Sequence, residues 1–597
     1  MPVSSVDVNG AAAAAAAVAI TALDGESNDG RDGLSSSSSS SSRRLRWPLA
    51  WLNMMRACDD VLLEKFRGAN STASTTTTVA TAVTAVAVTV EKDGDAAPTE
   101  VATSKKCEGQ LPSSFKANSC SSCCCCCKSA ITSRTTEMAQ EDHSGGPSWD
   151  NLPSVILQEI FSYLSHESRI KASQVCRNWR YTLFHPSFWR KISFVFKDED
   201  SVSWVRFMAD CFALSVHEAT IRWDISSRRY IDCMSETYNL LKKLSYNRQL
   251  RKLFLEFSCN NYDYSFDNED DSSYYFPISL TECVVKIIET SNHLEALSLG
   301  CSEELTANAS IILEPLRLHH AKHLTHLSLA SIKDDPEYYD LYELDNSIFN
   351  SFIRLSILTL DYEYVSDTLL KALDNGCMQR LVIHVHGWKD YPGTTNRAWQ
   401  VFVQKNPQCE LRLNLIHSYR GVKVLDSDIL CAAMPLTHLK VLFCEGVNIR
   451  ALLRLSMWYS HTLKSLTWID SIDRKQYMPA TLDPNDPNSP DPLVLAAWKC
   501  TKLTKIVFLG HKYYQENLLA IARLRGSTLQ VLAFAKSDIT SENESWHKTE
   551  SITHEIREIM GLHWMPLSDS DLPMVILDPF KGDSREVITP LVLRDQK

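Results

Sequence analysis

The hexad "LEALSL" at residues 294–299 returns as "LTHLSL" at 324–329, and eight further versions are spread along the chain. They are "LRKLFL" (250–255), "LSILTL" (355–360), "MQRLVI" (378–383), "QCELRL" (408–413), "LKVLFC" (439–444), "LKSLTW" (463–468), "LTKIVF" (503–508) and "LQVLAF" (529–534). Within each, two apolar residues alternate with two others. Side chains of a strand alternate between its faces, so Leu297 and Leu299 are expected to point into a core and Ala296 and Ser298 onto an open face.

Most hexads start roughly 23 to 31 residues apart, the period of a leucine-rich repeat rather than of a single globular core. One such unit cannot bury its leucines, but a stack of them can. The expected fold class is therefore α/β: an irregular leucine-rich-repeat solenoid, a curved parallel sheet with helical returns and a concave face, over residues 195–540. Inserts such as "CNNYDYSFDNEDDSSYYF", "KDDPEYYDLYELD" and "LDPNDPNSPDPL" are expected to be solvated loops, the first two alternatively an acidic flank for a basic partner. Residues 541–597, with "HWMPLSDSDLPMVILDPF", are expected to cap the last repeat.

A different pattern precedes the repeats, at residues 148–194. Asn151 suits an N-cap and Pro153 the first helical turn, where its missing N–H costs nothing. Leu152, Ile156, Ile160 and Leu164 then recur every four residues beside Leu157 and Phe161, an apolar helix face. Ser165 or Ser168 would cap a second helix. A third is expected through "ASQVCRNWRYTLF", with Ala172, Val175, Cys176 and Trp179 on one side and Pro186 at its end. Three short helices hold too little core to stand alone and expose more apolar surface than they cover, so they should pack on something else.

Residues 1–147 carry an alanine run (Ala11 to Ala17), a serine run (Ser35 to Ser42), a Thr/Ala/Val tract and "CSSCCCCC" (Cys120 to Cys127). Such composition buries too little to offset chain entropy, and disorder is expected. Inside it, residues 43–67 have helical apolar spacing (Trp47, Trp51, Met54, Met55, Val61, Leu62, Phe66) suited to a docking helix or an unremarkable short one. The cysteine run lacks the two-sided ligand pairs of a zinc site; S-acylation and low-complexity drift are its other readings. The remaining cysteines, scattered among apolar residues, are expected in the core.

The formal net charge of -11 and pI near 5.9 give no pull toward nucleic acid. No window reaches the 18 or so apolar residues of a membrane span, and the N-terminus lacks a secretory pattern. A cytoplasmic or nuclear location is expected. No phosphate loop, HExxH or GxSxG motif occurs, so no catalytic residue and no cofactor is assigned. His384 and His386 in "IHVHGW" alternate on an expected strand; with no third ligand at useful spacing they read as solvated, and no metal is assigned.

The ordered set Leu152-Pro153, Ile156-Leu157, Ile160-Phe161, Leu164, Ala172 to Cys176, Trp179 and Phe188-Trp189 resembles the F-box, with "SHESRI" replacing the commoner wording of its middle. An F-box followed by leucine-rich repeats resembles the substrate receptors of SKP-cullin-F-box ubiquitin ligases. The resemblance implies that Leu152, Pro153, Ile156, Leu157, Ile160, Phe161, Leu164, Val175, Cys176, Trp179 and Trp189 form the site for the SKP-family linker. Through that linker the chain would join a cullin-RING core, with no bond chemistry of its own. An unidentified protein substrate would meet the repeats, and Asp361, Arg412, Asn414, Phe443 and Lys505 are the expected contacts. A leucine-rich scaffold without ubiquitination, or an adaptor anchored to a membrane through its cysteines, is the rival reading.

Overall fold

The structure is a computed structural model that describes residues 152–164, 166–223, 230–257, 280–333, 344–387, 393–471, 491–541 and 546–596. The low-complexity region, the 43–67 segment, the cysteine run, Asn151, Ser165 and most of the inserted loops lie outside them. Of two compact units, one includes Leu157–Lys597; the other, Leu52–Ile156, is described only over residues 152–156.

Helices α1 (Ser154–Ser162), α2 (His166–Ala172) and α3 (Arg177–Leu183) follow in order. The expected third helix is shorter than the sequence suggests. Ala172 closes α2, and the amides of Gln174 and Val175 make turn bonds to Lys171 and Ala172. Cys176, with φ −152°, is extended and caps α3. Pro186 opens a 3-10 turn, Pro186–Trp189, which returns the Trp189 indole so that its N–H donates to the Leu183 carbonyl at 2.8 Å. Phe161 sits edge-on to Trp179 at 5.8 Å, both packed into the core that continues into the sheet.

Among the described residues that sheet has twelve parallel strands in strict chain order. They are β1 (Lys191–Phe196), β2 (Glu218–Trp223), β3 (Lys252–Glu256), β4 (Ala296–Ser298), β5 (His326–Ser328), β6 (Ile357–Asp361), β7 (Arg380–Val385), β8 (Glu410–Ile416), β9 (Leu436–Leu442), β10 (Ser465–Ile469), β11 (Lys505–Leu509) and β13 (Val531–Phe534). The short β12 (Tyr513–Tyr514) and β14 (Ile539–Thr540) pair separately. Helical returns such as Leu280–Thr290, Ala309–His320 and Ile449–Trp458 cover the leucine face, giving a long parallel sheet of solenoid type.

Each hexad marks a strand, with one error of register. Leu411 pairs with Leu436, and Leu439 pairs with both Leu413 and Leu466. The repeat at β9 is therefore "LTHLKV", not "LKVLFC", and Phe443 lies beyond the strand with φ 54°. Two strands carry no leucine hexad: β1 and β2 bury Phe194, Phe196, Ile221 and Trp223 instead.

The other face is covered by the chain itself. The segment after helix Trp546–Met560 meets the last strand, where Ala535 bridges Leu567 and the Trp564 indole donates to the Leu532 carbonyl at 2.8 Å. It then runs back along the strand ends. Ser471 donates to the Val575 carbonyl at 2.7 Å, His417 Nε2 lies 2.9 Å from Ser584 Oγ, and Ser298 donates to Gln596 Oε1 at 3.1 Å. Val575, Ile576, Ile588 and Val592 form a second apolar cluster with Ile332, Ile416, Leu442 and Leu509. The segment closes the last strand and also lines the sheet back to β4.

Candidate functional site

The residues assigned to linker binding divide by exposure. Leu157 and Phe161 are fully buried and Trp189 nearly so, which makes them supports of the fold. Pro153 is exposed, Ile156 is 47% exposed and Val175 62%. Leu152, Ile160, Leu164, Cys176 and Trp179 are intermediate. Exposed branched aliphatics at this density cost a lone chain solubility and suit a surface that another protein covers.

The residues assigned to substrate contact are largely engaged within the chain. Asp361, His384, Asn414 and Lys440 form a cross-strand row from β6 to β9 on the face away from the helices. Arg412 Nη1 donates to Asp595 Oδ1 at 2.9 Å, and Asn414 Nδ2 donates to Asp595 Oδ2 at 3.1 Å. Lys440 Nζ donates to the same carboxylate, and Arg380 donates to the Asp595 backbone carbonyl at 3.0 Å. Lys505, on the same face of β11, is pushed down to about 8 by burial and by Lys440. Ser298, expected on an open face, is likewise buried under Gln596.

Phe443 is buried too, in the apolar cluster with the returning segment, but it also borders open space. It lines an open cavity of 790 Å³ between the strand-end loops and the segment around Phe580, with His417, Asp470 and His511. Its ring stacks on His417 at 5.9 Å. His417, Phe443 and Glu445 all hold positive φ, 50°, 54° and 56°, a conformation that L-residues with side chains rarely adopt and that clusters where a ligand is held. Asp470 anchors the loop by accepting from the Glu445 and Gly446 amides at 3.0 and 3.4 Å.

The expectation of solvated His384 and His386 fails: both are 0% exposed. Their strand lies inside the sheet, between β6 and β8, and the returning segment covers the strand ends beside them. A third ligating group does exist, because Asp361 of β6 pairs in register with His384. It was invisible in the sequence since the spacing that matters runs across strands. Arg380, Lys440 and Asp595 were also missed. Lys440 carries a weak signal, as it stands at the same alternating position as Asn414, but nothing local to Asp595 points to its partners.

Residues 149–195 match the F-box-like family model, so the chain carries an F-box-like segment with a long parallel repeat unit behind it. It is similar to F-box only protein 33: 24% identical over 499 residues to the Homo sapiens protein, covering 73% of this chain and 86% of that one. The Mus musculus counterpart is 24% identical over 506 residues, covering 73% and 86%. F-box/LRR-repeat protein 21 of Bos taurus is 23% identical over 287 residues, covering 43% of this chain and 58% of that protein. Among solved structures, a chain of the yeast Rad7 and Elc1 complex covers 66% of this chain and 90% of its own at 12% identity and a TM-score of 0.33. The F-box and these relatives place the chain, in general terms, among the substrate-recognition adaptors of SKP-cullin-F-box ligases, and imply an SKP-type linker as partner. Among the described residues no helix is long and apolar enough to cross a membrane.

Proposed function

We propose that this chain selects one protein target and presents it for ubiquitination and proteasomal degradation, in the cytoplasm or nucleus. The observation that supports this reading is the F-box-like segment at 149–195 set directly before a repeat unit. The mechanism is proximity. An adaptor that binds linker and target together raises the effective concentration of target lysines near the conjugating enzyme, and needs no catalytic residue of its own.

Linker contact falls to Leu152, Pro153, Ile156 and Val175, with Ile160, Leu164, Cys176 and Trp179 behind them, while Leu157, Phe161 and Trp189 hold the helices in place. Target contact falls first to Phe443 and the cavity it lines. Arg412 and Asn414 are held by Asp595, whereas Lys505 is partly exposed on the same face.

The test is reconstitution of the full chain with an SKP-family linker and a cullin-RING core. Wild type should capture both, and Ile156→Asp combined with Val175→Asp should lose them while keeping its circular dichroism. Cells expressing the double variant should accumulate the target. A folded wild-type chain that captures no linker would leave a repeat scaffold instead.

A further inference from the structure

Asp361, His384 and His386, all buried, each offer one ligating atom, and these atoms lie within 4.8 Å of one another. The hydrogen bonds around them are unusual for a plain core network. His384 Nδ1 is 2.9 Å from the Ser331 carbonyl, which can only accept, so Nδ1 carries the proton and Nε2 presents a lone pair. That Nε2 is buried and has no hydrogen-bond partner. His386 Nε2 lies 3.3 Å from Asp361 Oδ1, and its Nδ1 is also buried without a partner. Glu363, two residues along from Asp361, pairs through Oε1 with Lys333 Nζ at 3.7 Å and keeps a buried Oε2 without a hydrogen bond.

Native interiors seldom leave buried polar atoms unsatisfied, and His384 Nε2 is such an atom on the residue paired in register with Asp361. Asp361 is itself oriented: Ser331 donates its amide to Oδ1 at 3.0 Å and its hydroxyl to Oδ2 at 2.7 Å. One serine therefore fixes both the His384 tautomer, through its carbonyl, and the Asp361 carboxylate. Orientation of ligands by outer hydrogen bonds of this kind is the usual support of a metal centre.

We propose that Asp361, His384 and His386 bind a first-row divalent cation of zinc type, which staples β6 to β7. Two imidazoles and one carboxylate suit such ions, whereas calcium and magnesium want oxygen donors. Bonds of about 2.0–2.2 Å require the donors to close in by under about 1 Å, within reach of small side-chain rotations. The burial of all three residues makes the ion structural, and its binding is independent of linker or target capture.

The experiment uses the full chain with Cys123 to Cys127 replaced by serine, so that the thiol cluster cannot take up metal. It is dialysed against Zn²⁺ or Co²⁺ and read by metal analysis, X-ray absorption and thermal unfolding. One ion per chain, a spectrum with two imidazoles and no sulfur, and a Tm that rises with Zn²⁺ are expected. His384→Gln, shown folded by circular dichroism, should lose the ion and the Tm response. Wild type that takes up no ion beyond a buffer blank, or equal uptake by folded His384→Gln, would overturn the proposal.

Discussion

Arg412 Nη1 donates to Asp595 Oδ1 at 2.9 Å, joining two residues 183 apart in sequence across the face of a sheet. Burial pushes the Asp595 carboxyl up, but Lys440 and Arg412 outweigh it and hold the group well below the usual carboxylate range. The carboxylate is thus a fixed charge at the centre of a basic row, which it offsets in part from within the chain.

Replacing Asp595 by alanine leaves Lys440 and Arg412 facing each other under cover. Breaking a buried pair from one side costs about 3–5 kcal/mol. Urea unfolding of Asp595→Ala should show a loss of that order, and faster proteolysis after Met560. A loss below about 1 kcal/mol would mean that the segment does not hold the sheet in solution.

Phe161 and Val175 should separate folding from docking. Phe161 is fully buried, and Phe161→Ala should cost about 3–5 kcal/mol of stability. Val175 is 62% exposed, and Val175→Asp should stay within about 0.5 kcal/mol of wild type. Only the second variant should lose linker capture at unchanged Tm; retained capture would move the docking surface off Val175.

His438 should make the sheet acid-sensitive. Burial, then Arg412, pushes its imidazole down to about 4, with Lys440, Asp595 and Glu410 the other charges facing it. An unfolded histidine titrates near about 6.5, so between there and about 4 the unfolded chain binds the extra proton. Stability should therefore be unaffected above that window and fall within it, by at most about 1.4 kcal/mol per pH unit from this residue. Denaturant midpoints from pH 7 to 4.5 should fall less steeply in His438→Gln; parallel curves would assign the acid response elsewhere.

Gly510 holds φ +85°, and an added Cβ would meet the Asp470 carbonyl oxygen at 2.2 Å. Gly376 holds φ +69° with nothing nearer than 3.7 Å. Alanine at Gly376 should cost about 1 kcal/mol for the backbone alone. Gly510→Ala adds a backbone collision and should cost clearly more. Equal midpoints for the two would contradict this packing of β11 against the loop after β10.

The stack was legible because its signal is local: an alternation inside six residues marks ten of the twelve strands of the main sheet. β1 and β2 escaped it since phenylalanine, isoleucine and tryptophan fill the core positions there. "LKVLFC" misled because Leu442 and Phe443 are apolar for a second reason, contact with the returning segment. That segment and the His384–Asp361 pairing were not legible. Both depend on which distant strands become neighbours, and that information lies in the stacking order of the units.

The strict chain order of the strands also sets a schedule. During synthesis each new strand can join the one made just before it, so the sheet can grow from β1 outward as the chain emerges. Residues 575–596 come after every strand they cover, and Gln596 reaches Ser298, made 298 residues earlier. Until then Arg380, Arg412 and Lys440 lack the Asp595 contacts that hold them in the finished fold. A nascent chain is therefore chemically distinguishable from the folded one, by a charge pattern that residues 575–596 alter once they dock.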